Sequence, residues 1–128
     1  MSNAEVGGVS NIIYKICDAA IWRNAEAAGR FHGAGVDERD GYIHFSSESQ
    51  VKETAAKHFS GAAGLVLVAI DAGCLGSALR WEPARGGALF PHLYGELALD
   101  CVLWVKPLPL GADGRHLFPE PMFPEPML

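Results

Sequence analysis

Two short segments of this 128-residue chain combine a histidine with tyrosine and other polar groups, a combination suited to acid–base chemistry. His44 lies in residues 41–47 and His92 lies in residues 90–95. An imidazole accepts or donates a proton near neutral pH, so we identify His44 and His92 as candidate catalytic residues. The candidate ligand-binding residues near them in the sequence pattern are Lys15, Tyr42, Ser46, Ser47, Trp81, Glu82 and Tyr94.

The segment around His44 has the alternation of a strand that enters a helix. Side chains alternate between the faces of a strand, so Tyr42, His44 and Ser46 are predicted to share the face opposite the apolar residues between them. If the apolar face belongs to the core, His44 points to a pocket. Ser47 then begins a helix whose unpaired N–H groups can bind an anion. The alternative is that Ser47 is only a helix cap and His44 a hydrogen-bonded structural histidine.

The segment around His92 is predicted to place His92 and Tyr94 on one face of the chain. Their rings can stack on a ligand and hydrogen-bond a phosphate or carbonyl oxygen. Trp81 can add a flat apolar wall, and Glu82 a carboxylate for a ribose hydroxyl or an oxocarbenium-like centre. The alternative is that Trp81 is a core residue and Glu82 belongs to a solvated salt bridge.

Other kinds of site have little support. Lys15, on the predicted first strand, can balance the charge of a phosphate. The five histidines include no H-x-x-x-H pair and the cysteines no C-x-x-C pair, so no metal site is predicted. The chain also lacks the G-x-S-x-G elbow, the P-loop and the G-x-G-x-x-G fingerprint, which leaves hydrolase, NTPase and Rossmann functions without a motif.

Caps and hydrophobic spacing predict the elements that position these residues. Asp18 and Gly29 are typical N-cap and C-cap residues, and they bracket a helix predicted over residues 19–28. A capping box at Ser47 begins a second helix that runs through Phe59. Strands are predicted at residues 11–17, 41–45 and 65–70, and residues 97–105 are predicted to form a final strand or a hairpin.

Composition also predicts which strand is central in the sheet and where the longest loops lie. Residues 65–70 are a continuous aliphatic run, which predicts a central strand covered on both faces. Residues 30–40 are predicted to be a loop. Residues 83–91, broken by proline and glycine, are predicted to form a long loop that lines a site.

Length and composition indicate one small globular domain. About half of the residues are hydrophobic and a fifth are charged, and no apolar run approaches the roughly 20 residues that span a bilayer. The net charge of −5, without a Lys/Arg cluster, argues against nucleic acid as a partner. The first ten residues lack the features of a secretory signal, so a cytoplasmic location is predicted. Cys17, Cys74 and Cys101 are predicted to be reduced core residues.

The C-terminal residues differ in composition from the rest. Residues 11–108 are predicted to form the α+β domain, and residues 109–128 a proline-rich tail. The pentapeptide FPEPM occupies residues 118–122 and again residues 123–127. Such composition predicts a mobile, polyproline-like end, with docking on the domain as the alternative.

Several motifs together resemble one known family. These are IYKI, GYIHFS, QVKETAAKHFSG, LVLVAID, RWE, FPHLYG and VLWVKPL, which occur in this order over residues 12–108. In order and spacing they resemble the DUF952 family. The resemblance implies an α+β fold with a split, mostly antiparallel sheet and flanking helices, similar to the ADP-ribosyltransferase-like fold.

That likeness implies a ligand as well as a fold. In the ADP-ribosyltransferase-like fold NAD lies in a cleft between the half-sheets, and the matching positions here are Lys15, His44 with Ser46, and His92 with Tyr94 or Glu96. The implied function is binding of NAD, ADP-ribose or a related nucleotide, with ADP-ribosyl transfer or NAD cleavage as the chemistry. The alternative is a non-catalytic domain that binds a small molecule or a peptide.

Overall fold

A four-stranded antiparallel sheet forms the centre of the molecule. The computed structural model describes residues 11–119 and residue 122. The order of the central sheet is β4–β1–β5–β9, and all of its pairs are antiparallel. Its strands are β1 (Ile12–Asp18), β4 (Ser46–Ser47), β5 (Leu65–Asp71) and β9 (Val102–Leu108). The prediction that residues 65–70 form a central strand is confirmed, because β5 pairs on both sides.

Two smaller antiparallel sheets complete the β-structure of the described residues. One has the order β3–β7–β6, and the other pairs β2 with β8. Their strands are β2 (Arg30–Phe31), β3 (Ile43–His44), β6 (Leu79–Pro83), β7 (Leu89–Leu93) and β8 (Leu97–Ala98). The predicted α+β class with mostly antiparallel sheets is thereby confirmed, and the finer likeness to the ADP-ribosyltransferase-like fold stays a prediction.

The two predicted helices form where their caps place them. Helix α1 (Ala19–Ala28) begins after Asp18, whose carboxylate accepts from the backbone N–H groups of Ala20 and Ile21, and ends at Gly29 in the left-handed region. A third, short helix, α2 (Val36–Asp40), was not predicted from the sequence. Helix α3 (Glu48–His58) begins with the reciprocal capping box of Ser47 and Gln50.

Both faces of the central sheet are buried, which explains the aliphatic character of β5. One face packs against α3 through Val51 and Ala55. The other packs against α1 and the smaller sheets, with Trp22 among the buried residues. Burial of apolar area on two faces stabilises the sheet at about 25 cal/mol per Å². Lys15 lies on this second face, the same side of β1 as Ile13 and Cys17.

Two predicted loops are wrong in part. Residues 30–40 contain β2 and α2. Residues 83–91 are mostly the end of a hairpin, because β6 and β7 pair from Leu79–Leu93 to Pro83–Leu89. The prolines and glycines mark the turn of this hairpin correctly, but cross-strand pairing extends the strands to within a few residues of it.

The prediction of three reduced cysteines is wrong for two of them. Cys74 and Cys101 form a disulfide with a Cα–Cα distance of 5.6 Å, whereas Cys17 is free and buried. The bond closes a loop of 27 residues in sequence, which stabilises a fold by roughly 3 to 4 kcal/mol in the chain-entropy model. Disulfides persist mainly in oxidising compartments. The cytoplasmic location therefore stays a prediction.

Part of the C-terminal segment packs on the domain. A bridge between Leu110 and His116 turns the chain back after β9. Phe118 and Met122 then pack against the core beside α3, as in the docking alternative. The second FPEPM copy, residues 123–127, lies outside the described residues. In the described part of the chain, no helix is long and apolar enough to cross a membrane.

Candidate functional site

His44 and His92 meet where the chain crosses between two sheets. Strand β3 ends at His44 and β4 begins at Ser46, so a single residue, Phe45, connects the small sheet to the central sheet. The N–H of Phe45 donates to the carbonyl of Pro91 at 3.0 Å. His44 and His92 are direct partners in the register of β3 and β7, and their ring centroids are 5.3 Å apart.

Asp37, which sequence reasoning missed, is the centre of the contacts around His44. Its side chain is 0% exposed. Oδ2 accepts from Lys15 Nζ at 2.7 Å and from the N–H of Ala34 at 2.9 Å. Oδ1 accepts from the N–H of His44 at 3.1 Å and contacts His44 Nδ1 at 2.6 Å. The carboxylate therefore holds the lysine of β1 and the histidine of β3 together.

These contacts determine the charge of Asp37. Burial by itself raises the pKa of this carboxyl group, but the hydrogen bond from His44 and the charge and hydrogen bond of Lys15 outweigh burial and lower the pKa to about 2. Gly33 makes room for the side chain, because a Cβ atom there would lie 2.7 Å from the Cβ of Asp37. Asp37 is thus ionised at neutral pH.

His44 has a carboxylate at each ring nitrogen. Nδ1 contacts Asp37, and Nε2 lies 3.0 Å from Oδ2 of Asp40. A neutral imidazole has one N–H and can donate to one carboxylate only, whereas an imidazolium donates to both. Both ring nitrogens of His44 are therefore in contact with carboxylates of α2.

One ring nitrogen of His92 contacts a carboxylate. Its Nδ1 lies 2.7 Å from Oε1 of Glu82, which also accepts from the hydroxyl of Tyr94 at 2.9 Å. The hydrogen bonds from His92 and then Tyr94 lower the pKa of Glu82. Because a carboxylate only accepts, Nδ1 carries the proton, and no described residue hydrogen-bonds Nε2. A neutral His92 therefore offers Nε2 as a proton acceptor.

Tyr42 joins the two histidines into one aromatic cluster. Its ring centroid lies 4.6 Å from that of His44, 4.4 Å from that of His92 and 5.1 Å from that of Tyr94. The guanidinium of Arg80 covers Tyr94 at 4.6 Å from the ring centroid. Such stacked contacts restrict the rotation of the rings and hold the histidines in place.

A cavity of about 720 Å³ is lined in part by both histidines. Its polar end is lined by Lys15, Asp37, Asp40, His44, Ser46 and His92. Its apolar walls include Ile21, Val36, Phe59, Leu65 and Phe90. A volume of this size falls within the roughly 300–1,000 Å³ of ligand pockets, and a few polar groups in an apolar wall are their usual lining.

The structure brings together most of the residues predicted for the site. Lys15, His44, Ser46 and His92 line the cavity. Tyr42 and Glu82 contact the histidine rings, and Tyr94 contacts Tyr42 and Glu82. Lys15 forms a salt bridge with Asp37. The hydroxyl of Ser46 lies 2.9 Å from that of Thr54.

Two predicted residues lie elsewhere. Ser47 acts as the cap of α3, as in its structural alternative, and Trp81 is 46% exposed on the hairpin, outside the lining of the cavity. The residues that were missed, Asp37 and Asp40, stand in a segment interpreted as loop. Their spacing of three was a usable signal, since residues that far apart share one side of a helical turn. In residues 11–119 and 122, no group of three or more His, Cys, Asp or Glu is placed to hold a metal ion.

The comparisons with known proteins agree with the motifs. The family model described as "Protein of unknown function (DUF952)" matches residues 16–105. This chain belongs to the DUF952 family. No curated protein matches it.

Solved structures of protein CC0527 share this fold. The crystal structure of protein CC0527 from Caulobacter crescentus is 51% identical to this chain, with a TM-score of 0.80, and the match covers 83% of this chain and 93% of that one. The solution NMR structure of CC0527 is also 51% identical, with a TM-score of 0.74 and coverage of 82% and 90%. The fold described above is therefore similar to one determined by experiment.

Proposed function

We propose that the cavity binds a nucleotide-like small molecule, with NAD or ADP-ribose as the candidate ligand, and that His92, next to His44, acts on it as a base. The observation that carries the proposal is the pairing of two histidines at the polar end of the cavity, each oriented by a carboxylate. A base within reach of the attacking water is the requirement for hydrolysis of such a ligand, because nicotinamide leaves without needing a proton.

The lining of the cavity favours the ribose and the nicotinamide ring of the ligand over its phosphates. The apolar walls suit a flat ring, and the polar end offers groups that can bind ribose hydroxyls. Lys15 is already paired with Asp37, and Arg39, which also lines the cavity, is paired with Asp40. We therefore expect the nicotinamide riboside half of NAD at the histidines, and the diphosphate towards the mouth.

In this pose His92 would act as the base for hydrolysis. Nε2 of His92 takes a proton from water, the water oxygen bonds to C1′ of the ribose, and the bond from C1′ to the nicotinamide nitrogen breaks. Its electron pair returns to the nicotinamide ring, which leaves as a neutral molecule. The products are ADP-ribose, nicotinamide and one proton. Glu82 acts through His92, since it orients the ring and does not line the cavity.

Calorimetry and thermal unfolding with NAD, ADP-ribose, AMP and nicotinamide test this function. A ligand at 100 times its Kd stabilises the folded protein by about 2.7 kcal/mol, which raises the melting temperature by several degrees. We expect this rise for NAD or ADP-ribose and at least a tenfold weaker affinity in His92→Gln. His32→Gln is the matched control, because His32 is 60% exposed and lies outside the cavity lining.

Chromatography of the incubated ligand then tests for chemistry. Nicotinamide release by the wild type and its loss in His92→Gln support hydrolysis. Binding without release reduces the proposal to a nucleotide-binding protein. If none of the four compounds changes the melting temperature of the folded protein, the nucleotide proposal is wrong.

A second candidate, capture of an extended peptide, is favoured by the edge of β1. Strand β4 pairs only with Ile13 and Tyr14, so no described strand pairs with residues 15–18 on that side. All five consecutive residues 14–18 line the cavity, although their side chains alternate between faces, so the cavity meets this strand edge-on. An added strand would hydrogen-bond to such an edge.

Hydrogen exchange distinguishes this candidate from the first. A binder selected from a random heptapeptide library should slow exchange of backbone amides within residues 15–18 if it adds to β1. A peptide that binds without protecting these amides would exclude strand addition.

A further inference from the structure

The repeated pentapeptide at the C-terminus has one copy in contact with the core. FPEPM occupies residues 118–122 and is followed at once by the identical residues 123–127. Met122 is 6% exposed, and Phe118 packs against the same cluster of buried residues. A surface that accepts the phenylalanine and methionine of one copy can accept the same side chains of the other.

Phe118 and Met122 of the first copy lie against a surface built by α3 and the central sheet. We call this surface the tail groove and define it by Tyr14, Val51, Ala55, Leu67, Trp104 and Leu108. The ammonium of Lys52 lies 5.8 Å from the ring centroid of Phe118. The aromatic rings and the small Ala55 suit the unbranched, polarizable side chain of methionine.

The chain that leads to the tail groove is anchored just before the repeat. Nε2 of His116 lies 2.7 Å from the carbonyl oxygen of Ala62, and the Leu110–His116 bridge closes the preceding turn. A shift of the repeat by one copy inserts five residues between this anchor and the groove. The entropy of loop closure rises only slowly with length, so the longer connection costs little.

We propose that the tail groove is a binding site for the FPEPM motif, and that residues 123–127 of the same chain are its second ligand. The two copies exchange in the groove. The prolines on either side of the glutamate restrict the backbone before binding, which lowers the entropy lost when either copy docks. The ligand class is therefore a short proline-flanked peptide that places Phe and Met four residues apart.

Methionine substitutions in the full chain test the exchange. Met127→Ala should leave the melting temperature unchanged, because the first copy stays docked. Met122→Ala should lower it by only a few degrees, because Met127 replaces the lost side chain. The double substitution should lower it by roughly 5 to 15 °C, the loss expected for an emptied methionine site. The effects of the two substitutions are thus strongly non-additive.

Methyl NMR of the methionines reports occupancy directly. The chain has three methionines, so the spectrum of ε-¹³C-labelled protein is simple to assign. In Met122→Ala, we expect the methyl signal of Met127 to move to the position that the Met122 methyl signal has in the wild type. Phe123→Ala added to Met122→Ala should abolish that shift, whereas Phe123→Ala alone should not move the signal of Met122.

Several results would overturn this proposal. One is a Met122→Ala variant as unstable as the double variant, with an unshifted Met127 signal. Another is a double variant as stable as the wild type, which would mean that neither methionine stabilises the fold by binding in the groove. A rescue by Met127 that grows with protein concentration would assign the second ligand to a neighbouring chain and not to the same one.

Discussion

The two histidines of the site bind a carboxylate in the same way, but the carboxylates lie in different surroundings. Asp37 is fully buried and has four contacts to lysine, histidine and backbone groups. Glu82 has a side chain that is 32% exposed and contacts His92 and Tyr94 within its own sheet. The comparison shows that one type of contact can hold a fold together at one position and only orient a ring at another.

The difference follows from what each carboxylate connects. Asp37 joins Lys15 of the central sheet to His44 of a small sheet, across 22 and 7 residues of sequence. Its neighbours are charged or donate hydrogen bonds, and the ammonium of Lys15, which is 9% exposed, loses its counter-charge if the carboxylate is lost. Glu82 joins residues of one hairpin region that are already paired through the backbone. Water can replace its contacts.

Replacing Asp37 should have the largest effect. Asp37→Asn leaves the ammonium of Lys15 buried without a counter-charge, which costs about 3 to 5 kcal/mol of the free energy of unfolding. Glu82→Gln is the matched control and should lose far less. Urea unfolding measures both, and similar losses in the two variants would contradict the distinction between them.

Acid should weaken the Asp37 contacts before it unfolds the rest of the protein. The pKa of Asp37 is about 2 in the folded state and about 3.9 in an unfolded chain, so its ionisation contributes roughly 2 to 3 kcal/mol. Because the folded pKa is the lower one, this contribution is complete above pH 4 and is lost as the pH falls through 2. We expect the stability difference between wild type and Asp37→Asn to shrink over this range. A difference that is independent of pH between 2 and 5 would show that Asp37 is not held ionised by its partners.

Removing the hydroxyl of Tyr94 should have the smallest effect and should be confined to the second histidine. Tyr94→Phe deletes one of the hydrogen bonds that lower the pKa of Glu82, so that pKa should rise towards its usual value. Carboxyl ¹³C NMR measures this titration, and the unfolding curve should not change. If Tyr94→Phe lowered the free energy of unfolding as much as we expect for Asp37→Asn, the contacts of Glu82 would have to stabilise the fold as well.

Local rules of sequence predicted much of the fold. Asp18, Gly29 and the Ser47–Gln50 capping box determine helix ends through contacts within a few residues, so no knowledge of the rest of the chain is needed. The aliphatic run of β5 indicates a strand buried on two faces for a similar reason. The prediction of a loop at residues 30–40 was wrong because the structure of this segment depends on partners far away in the sequence, above all Lys15 and β8.

The candidate site was predicted in its histidines but not in what holds them. Alternation along one strand placed Tyr42, His44 and Ser46 together, and the register of β3 with β7 then brought His92 beside His44. Asp37 and Asp40 had no motif, and nothing in the sequence connects Lys15 to either of them. The disulfide between Cys74 and Cys101 escaped prediction for the same reason, since its two residues meet only after the sheets have formed.

The sequence by itself determined the helix caps, the central strand and the candidate histidines, because each depends on neighbours within a few residues. Only the tertiary structure decided that Lys15 neutralises Asp37, that His44 has two carboxylates and that His92 has one. Those pairings depend on the register of strands and on a five-residue helix stabilised by the groups it contacts. Charge partners far apart in a chain are chosen by folding, since many pairings satisfy the same local pattern and burial selects one of them.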